Sequence, residues 1–160
     1  MSHIWAPWRM EYIEKADMNG DCIFCSARDD NEDDERYVLY RGARCFIILN
    51  RYPYTSGHLM VVPYRHLSEI EDLSAEEMSE LMSLTRKSIA ALKSAYSPQG
   101  FNIGINIGGV AGAGIKDHIH HHIVPRWGGD TNFMSVVSDV RVLPESLEST
   151  YGKLLELLTG

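Results

Sequence analysis

Cysteine is scarce in this chain, positive charge is in deficit, and long apolar runs are missing. Three cysteines, an odd count, argue against a disulfide framework. Fifteen Lys plus Arg face 22 Asp plus Glu, for a net charge of -7. A surface of that sign does not hold duplex nucleic acid by charge alone, although a few local donors suffice for a small nucleotide. No stretch reaches the roughly 18 apolar residues of a membrane-crossing helix. Met1 to Trp8 lack both the basic flank and the apolar segment of a signal peptide. The expectation is a cytoplasmic protein with no membrane partner.

What is present suits one soluble domain. The chain has 160 residues, 44% of them hydrophobic and 23% charged. We expect a single domain over 1–160 with an irregular arm at 1–20, where Trp5, Trp8 and Tyr12 pack on the domain or on a partner subunit. Six acids in the seven residues from Asp29 to Glu35 read as a solvated loop. Strands are predicted at Tyr37–Arg41, Arg44–Leu49, His58–Pro63, Phe101–Ile107 and His118–Val124, the last closed by Pro125. Ser74 and Glu77 form a capping box at the start of a helix of about twenty residues. Met78, Leu81, Met82, Thr85, Ile89, Leu92 and Tyr96 give that helix one buried stripe at a 3.6-residue period. Leu147, Tyr151, Leu154, Leu155 and Leu158 line a short C-terminal helix. The class is α+β, a mainly antiparallel sheet with one long crossover helix.

Four of the seven histidines fall between 118 and 122. With a strand period of two, His118, His120 and His122 share one face, and Ile119, His121 and Ile123 share the other. Neutral imidazole binds metals, accepts protons or attacks electrophiles, so the pattern alone leaves open a three-histidine metal site, nucleophilic catalysis and a plain surface cluster. The glycine-rich stretch Gly108–Gly114 precedes the strand, and its backbone N–H groups can approach anionic oxygens closely. It ends in neither the Gly-Lys-Ser/Thr of a P-loop nor the helix of a dinucleotide fingerprint. Beside aligned histidines it suggests phosphate chemistry, with Gly112, Ala113 and Gly114 as candidate nucleotide contacts.

His118-Ile119-His120-His121-His122-Ile123-Val124 resembles the histidine triad motif, and Asn50–Pro53 with Gly57–Pro63 resembles the first half of the same superfamily. Trp5–Ile13 and Pro125–Phe133 are similar to the branch that holds bacterial diadenosine tetraphosphate phosphorylases. The resemblance implies that His120 attacks the α-phosphorus of an adenosine nucleotide and carries AMP until water or phosphate releases it. It places His122 beside that nucleophile, His118 with them in the catalytic triad and His58 behind it, with Asn50 on the ribose hydroxyls and Asn106 near the phosphates. Gly114 stands where some phosphorylases of this branch carry a serine that contacts phosphate, which turns the acceptor toward water unless Lys116 and Arg126 point inward. His121, often aromatic in relatives, is expected to pack away from the triad.

Cys22 and Cys25 can converge on a tetrahedral zinc from one turn. A thioredoxin-like role is not expected, because no strand leads into a helix opened by the pair. The resemblance implies a structural site of Cys22, Cys25, His66 and His118, one zinc per chain. The leading expectation is therefore a nucleotidyl hydrolase or transferase acting on diadenosine polyphosphates or adenylated small molecules, in a homodimer. The alternatives are a diadenosine tetraphosphate phosphorylase and a nucleotide-binding module of low turnover. A purely structural zinc protein would leave Asn50, the glycine-rich loop and the other histidines without a task.

Overall fold

The computed structural model describes residues 22–30, 32–130 and 143–160; the expected arm at 1–20 and the segment with Asn132 and Phe133 lie outside these residues. The chain runs α1 (Ile23–Asp29), α2 (Asp33–Arg36), β1 (Val38–Arg41), β2 (Cys45–Leu49), β3 (Leu59–Pro63), α3 (Ala75–Tyr96), β4 (Gly100–Ile105), β5 (His121–Arg126) and α4 (Leu147–Thr159). Short 3-10 turns at Ile70–Asp72 and Gly109–Ala111 precede α3 and follow β4. The five strands form one antiparallel sheet in the order β1-β2-β3-β5-β4. β3 and β4 both run against β5, so α3 is a crossover between parallel strands, and β5 inserts in the gap it leaves. The last strand among the described residues is thus flanked on both sides, and its side chains are held in register by two neighbours.

Alternation along the strands divides the core. Ile47, Leu49, Leu59, Val61 and Ile123 point to one face and join Leu81, Leu92, Leu154 and Leu158 of α3 and α4. Phe46, Ile48, Met60 and Val62 point to the other and join Phe24 and Ala27 of α1. The capping box of α3 is present in both directions, Ser74 Oγ accepting from Glu77 N at 3.2 Å and Glu77 Oε2 from Ser74 N at 2.8 Å. Arg65 donates to the same carboxylate at 2.7 and 2.6 Å and, with the cap, holds it down to a pKa of about 2. That anchorage turns Glu77 inward and corrects the expected stripe. Glu77, Leu81, Leu84, Thr85, Ser88 and Leu92 are buried, whereas Met78 and Met82 are 48% and 56% exposed.

Two other expectations are corrected. The acidic run is in part a short helix, α2, because Asp33 pairs with Arg41 at 2.6 Å and Asp30 with Arg36 at 2.6 Å. Pro125 lies inside β5 rather than ending it. β3 pairs with β5 only as far as Ile123, so the N–H that proline lacks would meet no β3 partner; the Pro125 carbonyl instead accepts from Thr55 Oγ1 at 2.9 Å. That bond and His58 N–H to Thr55 O at 3.2 Å tie down the 51–57 turn. At its end Gly57 takes φ +78, where a Cβ would come within 2.8 Å of Leu92 Cδ2 of α3.

Candidate active site and metal site

The β5 ladder begins at His121 rather than at His118. The residues before it are held otherwise, Ile119 N–H donating to Leu67 O at 2.7 Å. The alternation nevertheless continues through this segment. Ile119, His121 and Ile123 face α3, and the rings of His118, His120 and His122 face the α1 side. His121 is 6% exposed, with Nδ1 at 3.1 Å from Thr85 Oγ1. The threonine hydroxyl donates to Leu81 O at 2.8 Å, so it accepts from His121 Nδ1–H. Burial lowers the His121 pKa, and the ring is a neutral packing group away from the cleft.

The other histidines are held in defined tautomers by their partners. His120 Nδ1 lies 2.9 Å from the carbonyl of His118; a carbonyl can only accept, so Nδ1 carries the proton and the neutral ring has its lone pair on Nε2. Behind it runs a relay. Tyr54 N–H donates to His58 Nδ1 at 3.1 Å, so the proton of neutral His58 sits on Nε2. His58 Nε2 lies 3.0 Å from His122 Nδ1 and donates to it. His122 therefore holds its own proton on Nε2. The rings of His120 and His122 meet edge to face at 4.8 Å, which sets a ring with an available electron pair beside a ring with an N–H. Asn50 braces the rim, its Oδ1 accepting from Tyr52 N–H at 2.9 Å.

These groups border a cleft of about 410 Å³, lined among others by His120, His122, Asn50, Gly114 and Tyr54. A second cavity of about 790 Å³ opens beside it, walled by Ile23, Phe24, Ala27, Ile48 and Met60, with Arg36 and Arg51 also lining it. An imidazole-lined cleft thus adjoins a larger slot with mainly apolar walls, and the two share Phe24, Asn50, Tyr52 and Met60.

The four expected metal ligands converge. The ligand atoms of Cys22, Cys25, His66 and His118 all lie within 4.8 Å of one another. His118 Nδ1 is 3.3 Å from Cys22 Sγ and 3.7 Å from Cys25 Sγ, and His66 Nδ1 is 3.3 Å from Cys25 Sγ. His118 Nε2–H donates to Pro63 O at 2.9 Å, which leaves Nδ1 as the lone-pair nitrogen facing the thiols. Burial pushes the His118 pKa down to about 4, keeping the ring in its neutral, ligating form. Two sulfurs and two imidazole nitrogens make a set that suits tetrahedral zinc with no position left for water. The pair opens a helix: Cys22 is the N-cap of α1, and Cys25 lies in its first turn. Arg41 fastens the far end of α1, donating to Ala27 O at 2.7 Å and Arg28 O at 3.2 Å.

Not every expected residue meets the cleft. Gly114 lines it, but Asn106, Gly112 and Ala113 do not; Asn106 follows β4 half-buried, and Ala113 is 8% exposed. Arg126 points elsewhere, bound to Asp130 at 2.5 Å and to Asn102 at 2.6 Å. Conversely, Phe24, Tyr52, Tyr54, Ile48 and Met60 line the cavities without having been singled out. The alternation of β2 and β3 carried a signal for Ile48 and Met60, which share the histidine face. Phe24 had none beyond lying between two cysteines.

The HIT domain family model matches residues 31–129. A Mycobacterium tuberculosis protein named AP-4-A phosphorylase is 42% identical over 157 residues, spanning 94% of this chain and 80% of that one. The asymmetrical bis(5'-nucleosyl)-tetraphosphatase of Schizosaccharomyces pombe is 32% identical, over 77% of this chain and 64% of that one. Among solved structures, a Zn-bound histidine triad family protein from Mycobacterium smegmatis matches with a TM-score of 0.69 and 28% identity, covering 87% of this chain and 94% of that one.

Proposed function

The chain belongs to the HIT domain family, and on that premise we propose that it is a nucleotidyl hydrolase or transferase acting on diadenosine polyphosphates or adenylated small molecules. The observation that carries the reading is the edge-to-face meeting of the His120 and His122 rings at 4.8 Å in the cleft, whose hydrogen-bond partners assign a lone pair to His120 Nε2 and a proton to His122 Nε2. The apolar slot takes the adenine, and Asn50, on the border of both cavities, takes the ribose hydroxyls. The α-phosphate then lies over the histidines. His120 Nε2 attacks phosphorus, an N–P bond forms, and the P–O bond to the polyphosphate breaks. His122 Nε2–H hydrogen-bonds the departing or non-bridging oxygen. In the second step water attacks phosphorus and gives up one proton to solvent, the N–P bond breaks, the electron pair returns to Nε2 and AMP leaves. Covalent catalysis of this kind divides one displacement into two easier ones.

Water is the proposed acceptor. Among the described residues that line the cleft there is no Lys or Arg to hold a second free phosphate, and Arg126 is committed to Asp130 and Asn102. A second reading, phosphorolysis, is favoured by the likeness to the Mycobacterium tuberculosis protein named AP-4-A phosphorylase. Incubation with diadenosine tetraphosphate with and without phosphate separates them. Hydrolysis gives AMP plus ATP in either buffer; phosphorolysis gives ADP plus ATP and stops without phosphate. Intact-mass analysis of quenched protein is expected to show one added adenylyl group. Binding without adduct or turnover would instead support a low-turnover nucleotide-binding module.

Cys22, Cys25, His66 and His118 are proposed to hold one structural zinc, a reading supported by their donor chemistry and convergence. Bound there, the metal would supply folding energy and tie α1 to the segment before β5. Asn106, which precedes the glycine-rich loop, and Gly112 and Ala113 within it stay proposed as nucleotide contacts. A single domain over 1–160, reaching a homodimer, completes the reading; the outer edge of β4, with Ile103 43% exposed, is a surface that a second copy can cover. No helix among the described residues is long and apolar enough to cross a membrane. Thiols kept reduced for metal binding fit a cytoplasmic residence.

A further inference from the structure

Phe24 walls the slot proposed for adenine, but it takes no part in the proposed bond-making steps and is no ligand of the proposed zinc site. It is fully buried and lies in the first turn of α1, between the two cysteines. Its ring stands 5.3 Å from the ring of His118, edge to face, and 5.1 Å from the ring of His120. The same ring walls both the imidazole cleft and the apolar slot. One rigid side chain therefore touches a metal ligand, the nucleophile and the nucleoside cavity. The backbone adds a parallel link, because the His118 carbonyl accepts the His120 Nδ1–H at 2.9 Å.

We propose that Phe24 is a positioning residue that couples metal occupancy to nucleotide binding. The proposal rests on the zinc reading given above. Closing two thiolates and two imidazoles on one ion fixes the first turn of α1 against the segment before β5. Phe24 is carried on that turn, so the turn's position sets the depth of the apolar slot and the wall behind His120. Without the ion, the first turn is held by the packing of Phe24 and Ala27, by thiol–imidazole contacts at 3.3 Å and by the clamp of Arg41 at the far end of α1, while its N-terminus at Cys22 has no side-chain cap. The slot then samples wider shapes, and a nucleotide must order it on binding. Coupling of this kind is reciprocal: whatever factor zinc adds to AMP affinity, AMP adds to zinc affinity.

The experiment measures both equilibria on the full-length protein. Zinc content is first set by chelation or by loading with zinc, and followed by elemental analysis. AMP affinity is then titrated in both forms, and zinc affinity is titrated with and without saturating AMP. We expect AMP to bind about tenfold more tightly to the zinc form, and zinc about tenfold more tightly to the AMP form. In Phe24→Leu, which keeps an apolar side chain, both factors should fall to within about twofold of unity while the protein still loads one zinc. His66→Ala removes an exposed ligand that lines neither cavity. It should bring AMP affinity to the zinc-free value without touching the cleft. Cobalt in place of zinc gives a spectroscopic reading: its visible bands should shift on AMP addition in the unmutated protein and stay still in Phe24→Leu. Failure to load any metal would overturn the zinc reading and the coupling with it. One zinc per chain with equal AMP affinity in both forms, or undiminished coupling in Phe24→Leu, would overturn the coupling alone.

Discussion

The two faces of the sheet carry the same residue type to opposite ends. His121 and His122 are neighbours on β5, yet one is sealed under α3 and the other lines a cleft. On the helix face, two helices cover the strands with aliphatic side chains, and the single imidazole is neutralised by burial and bound to a threonine. On the opposite face the described cover is thin, a seven-residue helix and loops, and imidazoles stay within reach of a ligand. The helix face stores stability and the other face stores chemistry. A central strand can serve both because its side chains alternate while its backbone is held from both sides.

The sharpest break of this contrast is on the chemical face. His120→Asn is expected to lower kcat by at least about ten-thousand-fold, the scale of losing a nucleophile. Thermal unfolding should change by no more than about 1 kcal/mol, because one hydrogen bond to a backbone carbonyl is lost. A stopped assay on diadenosine tetraphosphate beside a melting curve reads both, and retained turnover would remove His120 from its role. The mirror experiment is Leu154→Ala on α4, a side chain fully buried under the helix face. It should cost about 2 to 5 kcal/mol in denaturant unfolding, yet leave kcat within about twofold while the protein is folded. A large kcat loss without a stability loss would show that the faces are not divided as described.

The smallest expected effect concerns His121. Its pKa is lowered by burial, so below the ordinary histidine value of about 6.5 the unfolded chain takes up a proton that the folded chain refuses. Stability from this site is therefore complete above that value and is lost as pH falls through it toward the lowered folded pKa. His121→Leu removes the titrating group and strands no donor, because Thr85 still donates to Leu81. Melting temperatures at pH 7.5 and pH 5.5 are expected to differ more in the unmutated protein than in the variant. Parallel falls would place the acid sensitivity elsewhere.

Much of this architecture was legible because it rests on local rules. The period of two put the triad histidines on one face, and the Ser74–Glu77 box marked the start of α3. The histidine pattern also survives where the ladder does not, since His118 and His120 precede β5 yet keep the alternation. What escaped was set by contacts distant in sequence. Arg65 turns Glu77 inward, so the helix faces the sheet through Leu84 and Ser88 rather than Met78 and Met82. Arg41 organises the acids of α2 and the end of α1 from a strand that follows both. Phe24 reads in sequence as one apolar residue, and only the closing of α1 over the segment before β5 brings it to two histidines.

The two faces meet at Gly57. It directly precedes His58, the middle member of the imidazole relay, and it rests against Leu92 of α3 with no space for a Cβ. In evolutionary terms the two positions form an epistatic pair: a side chain at 57 is tolerable only where 92 has already become smaller and the backbone can abandon its positive φ. Drift on the helix face is thereby filtered by a neighbour of the catalytic relay. Residues of the 51–57 turn away from this contact can vary without that constraint. Recombining this turn with an α3 from a diverged relative would test the filter at once, since mismatched parents would meet at this glycine.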